Sequence, residues 1–181
     1  MKIVTMGDST TQGYPFTTQE SWVEYLAQGL KCQVINQGVC GDFTSGMSER
    51  FQRDVLDHAP SHAIILGGAN DAYEKINLES VCSNFITMVG LCKEHDISPI
   101  LGLPTPSLLP EEEQLLTKYR RWIKSYTNEK GILLIDFYSA FSNRISAGQR
   151  YQLFVDEVHP SIEGYKLMGE VAIQSLRSLM Y

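Results

Sequence analysis

The chain has no run approaching the roughly 18 consecutive apolar residues that cross a bilayer, and its N-terminus shows neither the apolar stretch nor the small-residue cleavage site of a secretory leader. A soluble, cytoplasmic protein with no membrane span is the expectation. Basic clusters are missing too. No run of Lys or Arg is longer than two, and 15 Lys+Arg stand against 21 Asp+Glu for a net charge of −6. That excludes the electrostatic footprint of a nucleic-acid or anionic-lipid binder. Cysteine is scarce and unpatterned: Cys32, Cys40, Cys82 and Cys92 show no CxxC pair and no zinc-like histidine spacing. Cys82 and Cys92 fall on one predicted helix, roughly 15 Å apart and too far to bridge. Buried free thiols are expected, with Cys40 the one to watch for reactivity. Repeats, linkers and low-complexity tracts are also lacking, so residues 1–181 read as one domain, large enough for a core without staples.

What is present is an alternation. Ile3, Val4 and Met6 make a short apolar run that ends at Gly7, where Gly7-Asp8-Ser9 turns the chain. Trp22, Val23, Leu26, Ala27 and Leu30 mark one face of a helix opening near Glu20. Cys32–Ile35 reads as a second strand that closes in Asn36-Gln37-Gly38. A helix is expected from about Ser45 to His58, with Met47, Phe51 and Val55 inward and Pro60 as its stop. His62–Leu66 does not alternate, the mark of a fully buried strand.

Leu78, Val81, Cys82, Phe85, Val89 and Cys92 recur at helical spacing up to about Asp96, and Pro99–Leu103 is a fourth strand. Leu115, Leu116, Tyr119, Trp122, Ile123 and Tyr126 line a long helix from Pro110 to Gly131. Ile132–Ile135 is the fifth strand. Residues 136–160 are less regular, with a short helix and the Tyr151–Val155 run, and a last helix carries Tyr165, Met168, Val171, Ala172, Ser175 and Leu179. Strands alternating with helices predict an α/β domain around a central parallel sheet.

In such a sheet the loops at the carboxyl ends of the strands share one edge. Those after strands 1, 2 and 3 are Gly7-Asp8-Ser9, Gly38-Val39-Cys40-Gly41-Asp42 and Gly68-Ala69-Asn70-Asp71. Asp156-Glu157-Val158-His159-Pro160 precedes the last helix, and its Asp156 and His159, three apart, are close enough for the carboxylate to reach the ring. Ser161 and Glu163 suit the cap of that helix. A hydroxyl, a histidine and a carboxylate are what acyl transfer needs, because serine is a weak nucleophile until an oriented base takes its proton. His58, His62 and His95 sit at element ends with no motif around them. Asp8 and Asp71 read as braces that accept turn N–H bonds.

Gly7-Asp8-Ser9, Gly41, Gly68-x-Asn70-Asp71 and Asp156-x-x-His159, in this order and spacing, resemble the four blocks of the SGNH, or GDSL-type, hydrolases. The similarity is greatest to the compact bacterial lipase/acylhydrolase group with its lysophospholipase- and thioesterase-like esterases. The resemblance implies a flavodoxin-like three-layer α/β/α sandwich with strand order 2-1-3-4-5. It implies Ser9 as nucleophile, His159 as base, Asp156 as its orienter, and an oxyanion hole from the Ser9 and Gly41 N–H groups and the Asn70 amide, with no cofactor and no metal. Thr10 departs from the apolar residue frequent after the family's serine. The implied activity is cleavage of carboxylic esters or thioesters of small molecules or lysolipids through an acyl-enzyme, with deacetylation of sugars as the alternative on the same triad.

Two other classes compete. A flavodoxin-like binding domain predicts no turnover. A metal-dependent phosphoesterase would use Asp8, Asp42, Asp71, Asp156 and His159 as ligands and would be silenced by a chelator. The loop Pro104–Pro110 after strand 4 reads as a rigid wall that offers Leu108 and Leu109 as apolar surface.

Overall fold

In the computed structural model, residues 1–179 are described. Five strands, β1 (Lys2–Gly7), β2 (Gln33–Gly38), β3 (His62–Leu66), β4 (Ser98–Leu103) and β5 (Leu133–Asp136), form one parallel sheet in the order β2-β1-β3-β4-β5. The register sets Gly7 beside Gly38 on one flank and Leu66 on the other, so the first three strands end level. Short helical turns α1 (Ser9–Gln12), α3 (Thr44–Glu49), α4 (Phe51–Asp54), α5 (Ala69–Tyr73) and α9 (Arg150–Leu153) accompany the longer helices. Those are α2 (Trp22–Leu30), α6 (Leu78–Glu94), α7 (Pro110–Lys130), α8 (Phe137–Ser146) and α10 (Ile162–Leu176).

Alternation along the strands builds three layers. Val4, Met6, Ala63, Ile65, Leu101 and Leu103 face one way and pack with Met47, Phe51, Phe85, Val89, Tyr119 and Ile123 of α3, α4, α6 and α7. Ile3, Ile64, Leu66 and Ile100 face the other way, against Trp22, Leu26, Phe137, Phe141, Tyr165 and Met168 of α2, α8 and α10. Covered on both sides, β3 is apolar and buried from Ala63 to Leu66, as its sequence predicts.

The long helices start and stop on local chemistry. Ser21 caps α2 by accepting the Val23 N–H at 3.2 Å, and Asn77 caps α6 by accepting that of Ser80 at 2.9 Å. Helix α7 opens on Pro110 with Glu111, Glu112 and Glu113 in its first turn and ends where Gly131 takes φ 62°. Ser161 accepts the Gly164 N–H at 3.1 Å to open α10.

Two expectations need correction. The single helix from Ser45 to His58 is interrupted: α3 ends at Glu49, Arg50 leaves helical geometry at φ −92° and ψ 3°, and a 3₁₀ turn Leu56–His58 closes the segment on Ala59. The bends turn the Arg50 side chain toward the sheet edge, where it is held by charge. Second, Ser9, Asn70 and Asp71 lie on helical turns, not in open loops, and those turns are too short to leave a periodic signal. The Tyr151–Val155 run, assigned no element from the sequence, is mostly α9, with Tyr151 exposed and one bridge pairing Phe154 with Pro160.

Candidate active site

Ser9 is the first residue of α1, directly beyond β1. Asp8 caps that turn, its Oδ1 accepting the Thr10 N–H at 2.9 Å. As the opening residue, Ser9 has an N–H with no partner inside the turn. The turn is seated against the end of β2 because position 38 is glycine, where a Cβ would overlap the Gln12 backbone. Ser9 Oγ lies 3.1 Å from His159 Nε2, and His159 Nδ1 lies 2.8 Å from Asp156 Oδ2. The three side chains therefore form a continuous hydrogen-bonded chain.

The carboxylate is itself fixed. Asp156 Oδ1 accepts the backbone N–H groups of Val158 (2.8 Å) and His159 (2.7 Å). Burial alone would push its pKa up; those two bonds and the His159 ring outweigh it and hold the carboxyl below the usual range. It stays ionised and ready to face an imidazolium. The Tyr14 ring packs on the imidazole, centroids 4.6 Å apart and tilted by 59°. Tyr14 is in turn anchored through its carbonyl, which accepts the Tyr165 hydroxyl at 2.7 Å.

Asn70, on α5, donates one Nδ2 hydrogen to the Asp42 carbonyl at 2.9 Å, which leaves the other free. Asn70 lines the same cavity as Ser9 and His159. Gly41 lies outside that lining but adjoins Asp42, and it holds φ 76° with open space where a side chain would be. The two loops are tied down by Arg50. Its guanidinium bonds Asp42 Oδ2 at 2.7 Å, Asp54 Oδ2 at 2.9 Å and the Gly7 carbonyl at 3.0 Å. One side chain thus braces the end of β1 against the Gly41-Asp42 loop.

Asp8 and Asp71 brace as expected. Asp71 accepts the Thr44 N–H at 3.0 Å and hydroxyl at 2.6 Å, and burial, partly offset by those bonds, raises its pKa. Burial also pushes Asp8 up to about 6, although the Thr10 bond and His159 oppose it. The carboxylates of the metal reading are thus committed elsewhere: Asp42 to Arg50, Asp71 to Thr44, Asp156 to His159. Among the described residues no three His, Cys, Asp or Glu side chains gather as a ligand set. Of the four cysteines only Cys92 is buried; Cys40 is exposed, and both burial and the neighbouring Asp8 raise its pKa, so its thiol is not activated.

The cavity beside Ser9 measures about 220 Å³. Pro104 to Ser107 and Leu109 wall it, as expected, together with Leu66, Tyr73 and Leu116. Leu108 does not: it is partly buried against the core on the side of α2, α8 and α10, while its N–H donates to the Glu157 carbonyl at 2.8 Å. The sequence reading also missed Glu112, a buried acid in the same wall. Its signal was available, since position 112 continues the inward stripe 116, 119, 123 of α7.

The GDSL-like lipase/acylhydrolase family model matches residues 5–167. The chain belongs to that family. Among solved structures, a GDSL-family protein of Desulfitobacterium hafniense DCB-2 is 36% identical with a TM-score of 0.89, covering 97% of this chain and 99% of the other. An acetylxylan esterase of Geobacillus stearothermophilus is 24% identical over 81% of this chain and 73% of its own length. The uncharacterized lipoprotein YqeF of Bacillus subtilis is 29% identical over 71% of this chain, and the match spans only 58% of that relative. The flavodoxin-like sandwich implied by the family blocks is the fold observed.

Proposed function

We propose that this GDSL-family protein hydrolyses carboxylic esters of small molecules through an acyl-enzyme on Ser9. The observation that supports the reading most is the unbroken chain from Ser9 Oγ to His159 (3.1 Å) and on to Asp156 (2.8 Å). Both contacts are within the reach required of a nucleophile, a base and an orienting group. Neutral His159 takes the Ser9 proton through Nε2 as Oγ attacks the ester carbonyl. Asp156 holds the Nδ1 proton in place and stabilises the imidazolium that forms. The Tyr14 ring packs against the imidazole, 4.6 Å between centroids, and backs it from the side.

The oxyanion of the tetrahedral intermediate is received by the Ser9 and Gly41 N–H groups and by the free Asn70 Nδ2 hydrogen. Such donors act in proportion to how firmly they are fixed beforehand, and the Asp42 carbonyl and the Arg50 brace supply that fixing. Collapse expels the alcohol with the proton from His159. Water, deprotonated by the same imidazole, then releases the acid and restores Ser9.

A cavity of about 220 Å³ is smaller than the roughly 300–1,000 Å³ of typical ligand sites, which favours short acyl groups over lysolipid chains. Similarity to an acetylxylan esterase makes sugar acetates the second reading on the same residues. The test is Ser9→Ala, assayed with nitrophenyl acetate and a fluorophosphonate label. Turnover and labelling should both vanish while the thermal unfolding curve stays that of a folded protein. A variant that keeps the parental rate refutes the assignment.

A further inference from the structure

The cavity beside Ser9 contains one group that the proposed chemistry does not use. Glu112 is 4% exposed, it lines the cavity, and its Oε2 has no hydrogen-bond partner among the described residues. A buried carboxyl oxygen without a donor is costly, and such groups are rare in folded proteins unless something else uses them.

Neighbouring groups do not account for it. Glu112 is the third residue of α7, where a glutamate ordinarily reaches back to the cap residue's N–H. Here that N–H, of Leu109, donates to Ser107 Oγ at 3.1 Å instead. The one buried guanidinium nearby, Arg120, is taken by Glu113 and by the carbonyls of Pro104 and Thr105. Glu113 also collects the Ser107 N–H at 2.9 Å. No Lys or Arg lines the cavity. Its titratable neighbours are Asp8, Glu113 and His159. Burial raises the Glu112 pKa; hydrogen bonding to the carboxyl from the Ser107 hydroxyl, together with the His159 ring, opposes the rise, and the two acids add to it, while Oε2 itself stays unpartnered.

We propose that Glu112 selects the substrate: the cavity takes small esters that carry an O–H or N–H donor, and the Glu112 carboxyl accepts from it. The proposal rests on the reading of Ser9 as the nucleophile. Ionised or protonated, the carboxyl keeps an acceptor oxygen, and the broad torsion about its last bond lets either oxygen face the cavity. An alkyl group in the same space would leave that acceptor stranded. Sites built to meet a substrate's hydrogen-bonding group reject the analogue that lacks it far more strongly than apolar pockets reject an extra methylene. Rigid backing from the first turn of α7, opened by Pro110, keeps the acceptor in place.

The experiment compares matched esters. On the acyl side, nitrophenyl 3-hydroxybutyrate and 3-aminobutyrate are measured against 3-methylbutyrate; on the alcohol side, 2-hydroxyethyl acetate against propyl acetate. The protein should favour the donor-bearing ester by roughly tenfold or more in kcat/KM in at least one series, the value of one hydrogen bond to a charged group. Glu112→Leu should bring that ratio to near one and should melt above the parent, because it removes an unpartnered buried oxygen. Glu112→Gln keeps an acceptor without the charge. It should preserve a hydroxyl preference and lose an ammonium preference, which separates the two kinds of donor. Thermal unfolding of both variants verifies folding, and Glu112→Gln carries the test if Glu112→Leu does not fold. Ratios at or below one in both series, or a ratio that Glu112→Leu leaves unchanged, overturn the proposal while Ser9-dependent turnover stands. Turnover that survives Ser9→Ala refutes the nucleophile instead.

Discussion

Replacing Asp8 by Asn should make the protein more stable, with a gain that builds above about pH 4 and is complete a little above pH 6. Asp8 is 2% exposed, and burial lifts its pKa from 3.8 to about 6. Because the folded value is the higher one, the native state binds more protons than the unfolded chain between those two values. Stability therefore falls as pH rises through that window and stays reduced above it. The interval between 3.8 and about 6, at ~1.4 kcal/mol per pH unit, corresponds to ~3 kcal/mol. Asparagine is also a good cap and keeps an oxygen for the Thr10 N–H, so α1 loses nothing by the change. Its amide hydrogens enter a site where the carboxylate had none, which reduces the expected gain to ~1–3 kcal/mol. For a chain of this size each kcal/mol moves Tm by ~2–4 °C. Paired thermal unfolding from pH 4 to 8 is the assay. The Tm difference should be near zero at pH 4, grow up to about pH 6 and level off beyond it. A difference that is constant with pH, or an Asn variant less stable at pH 8, refutes the assignment of the strain to a buried charge. The strain sits beside the proposed nucleophile, where stability is commonly given up for function.

The other expectations concern turnover. Asn70→Ala should lower kcat by roughly 10²–10³ with a smaller change in KM, because its free hydrogen is needed mainly in the transition state; a change confined to KM, read from full saturation curves, makes it a ground-state contact. His159→Ala should damage turnover as severely as Ser9→Ala, and the double variant should be scarcely worse than either. Additive losses, or activity abolished by EDTA, move the reading to metal chemistry. Asp156→Asn should leave partial activity, measured from initial rates, because the amide keeps the imidazole in place without offsetting its charge.

Much of this was legible beforehand for a definite reason. A parallel sheet buried on both faces needs continuous apolar strands, so Ala63-Ile64-Ile65-Leu66 declared itself, and chain order then placed every loop after a strand at one edge. The meeting of Ser9, Asn70 and His159 follows from that edge. What stayed hidden depends on contacts remote in sequence. The break at Arg50 follows from Asp42, Asp54 and the Gly7 carbonyl together, and no local propensity encodes such a meeting. By its apolar type Leu108 reads as cavity wall, whereas it packs on the core with its N–H held by the Glu157 carbonyl, a contact remote in sequence. Glu112 belongs to no motif, and only the helix phase of α7 carries its signal.

At the end of the sheet away from Ser9 the backbone turns left-handed at Lys31, Ala59 and Asp96, shortly before β2, β3 and β4, as it does at Gly131 before β5. An L side chain there costs ~1–2 kcal/mol that glycine does not. The protein thus carries removable strain at the end of the sheet away from Ser9. Hardening the molecule for heat or solvent can begin at those three positions and leave the chemistry of the other rim untouched, a separation that folds with sites spread over both ends do not offer.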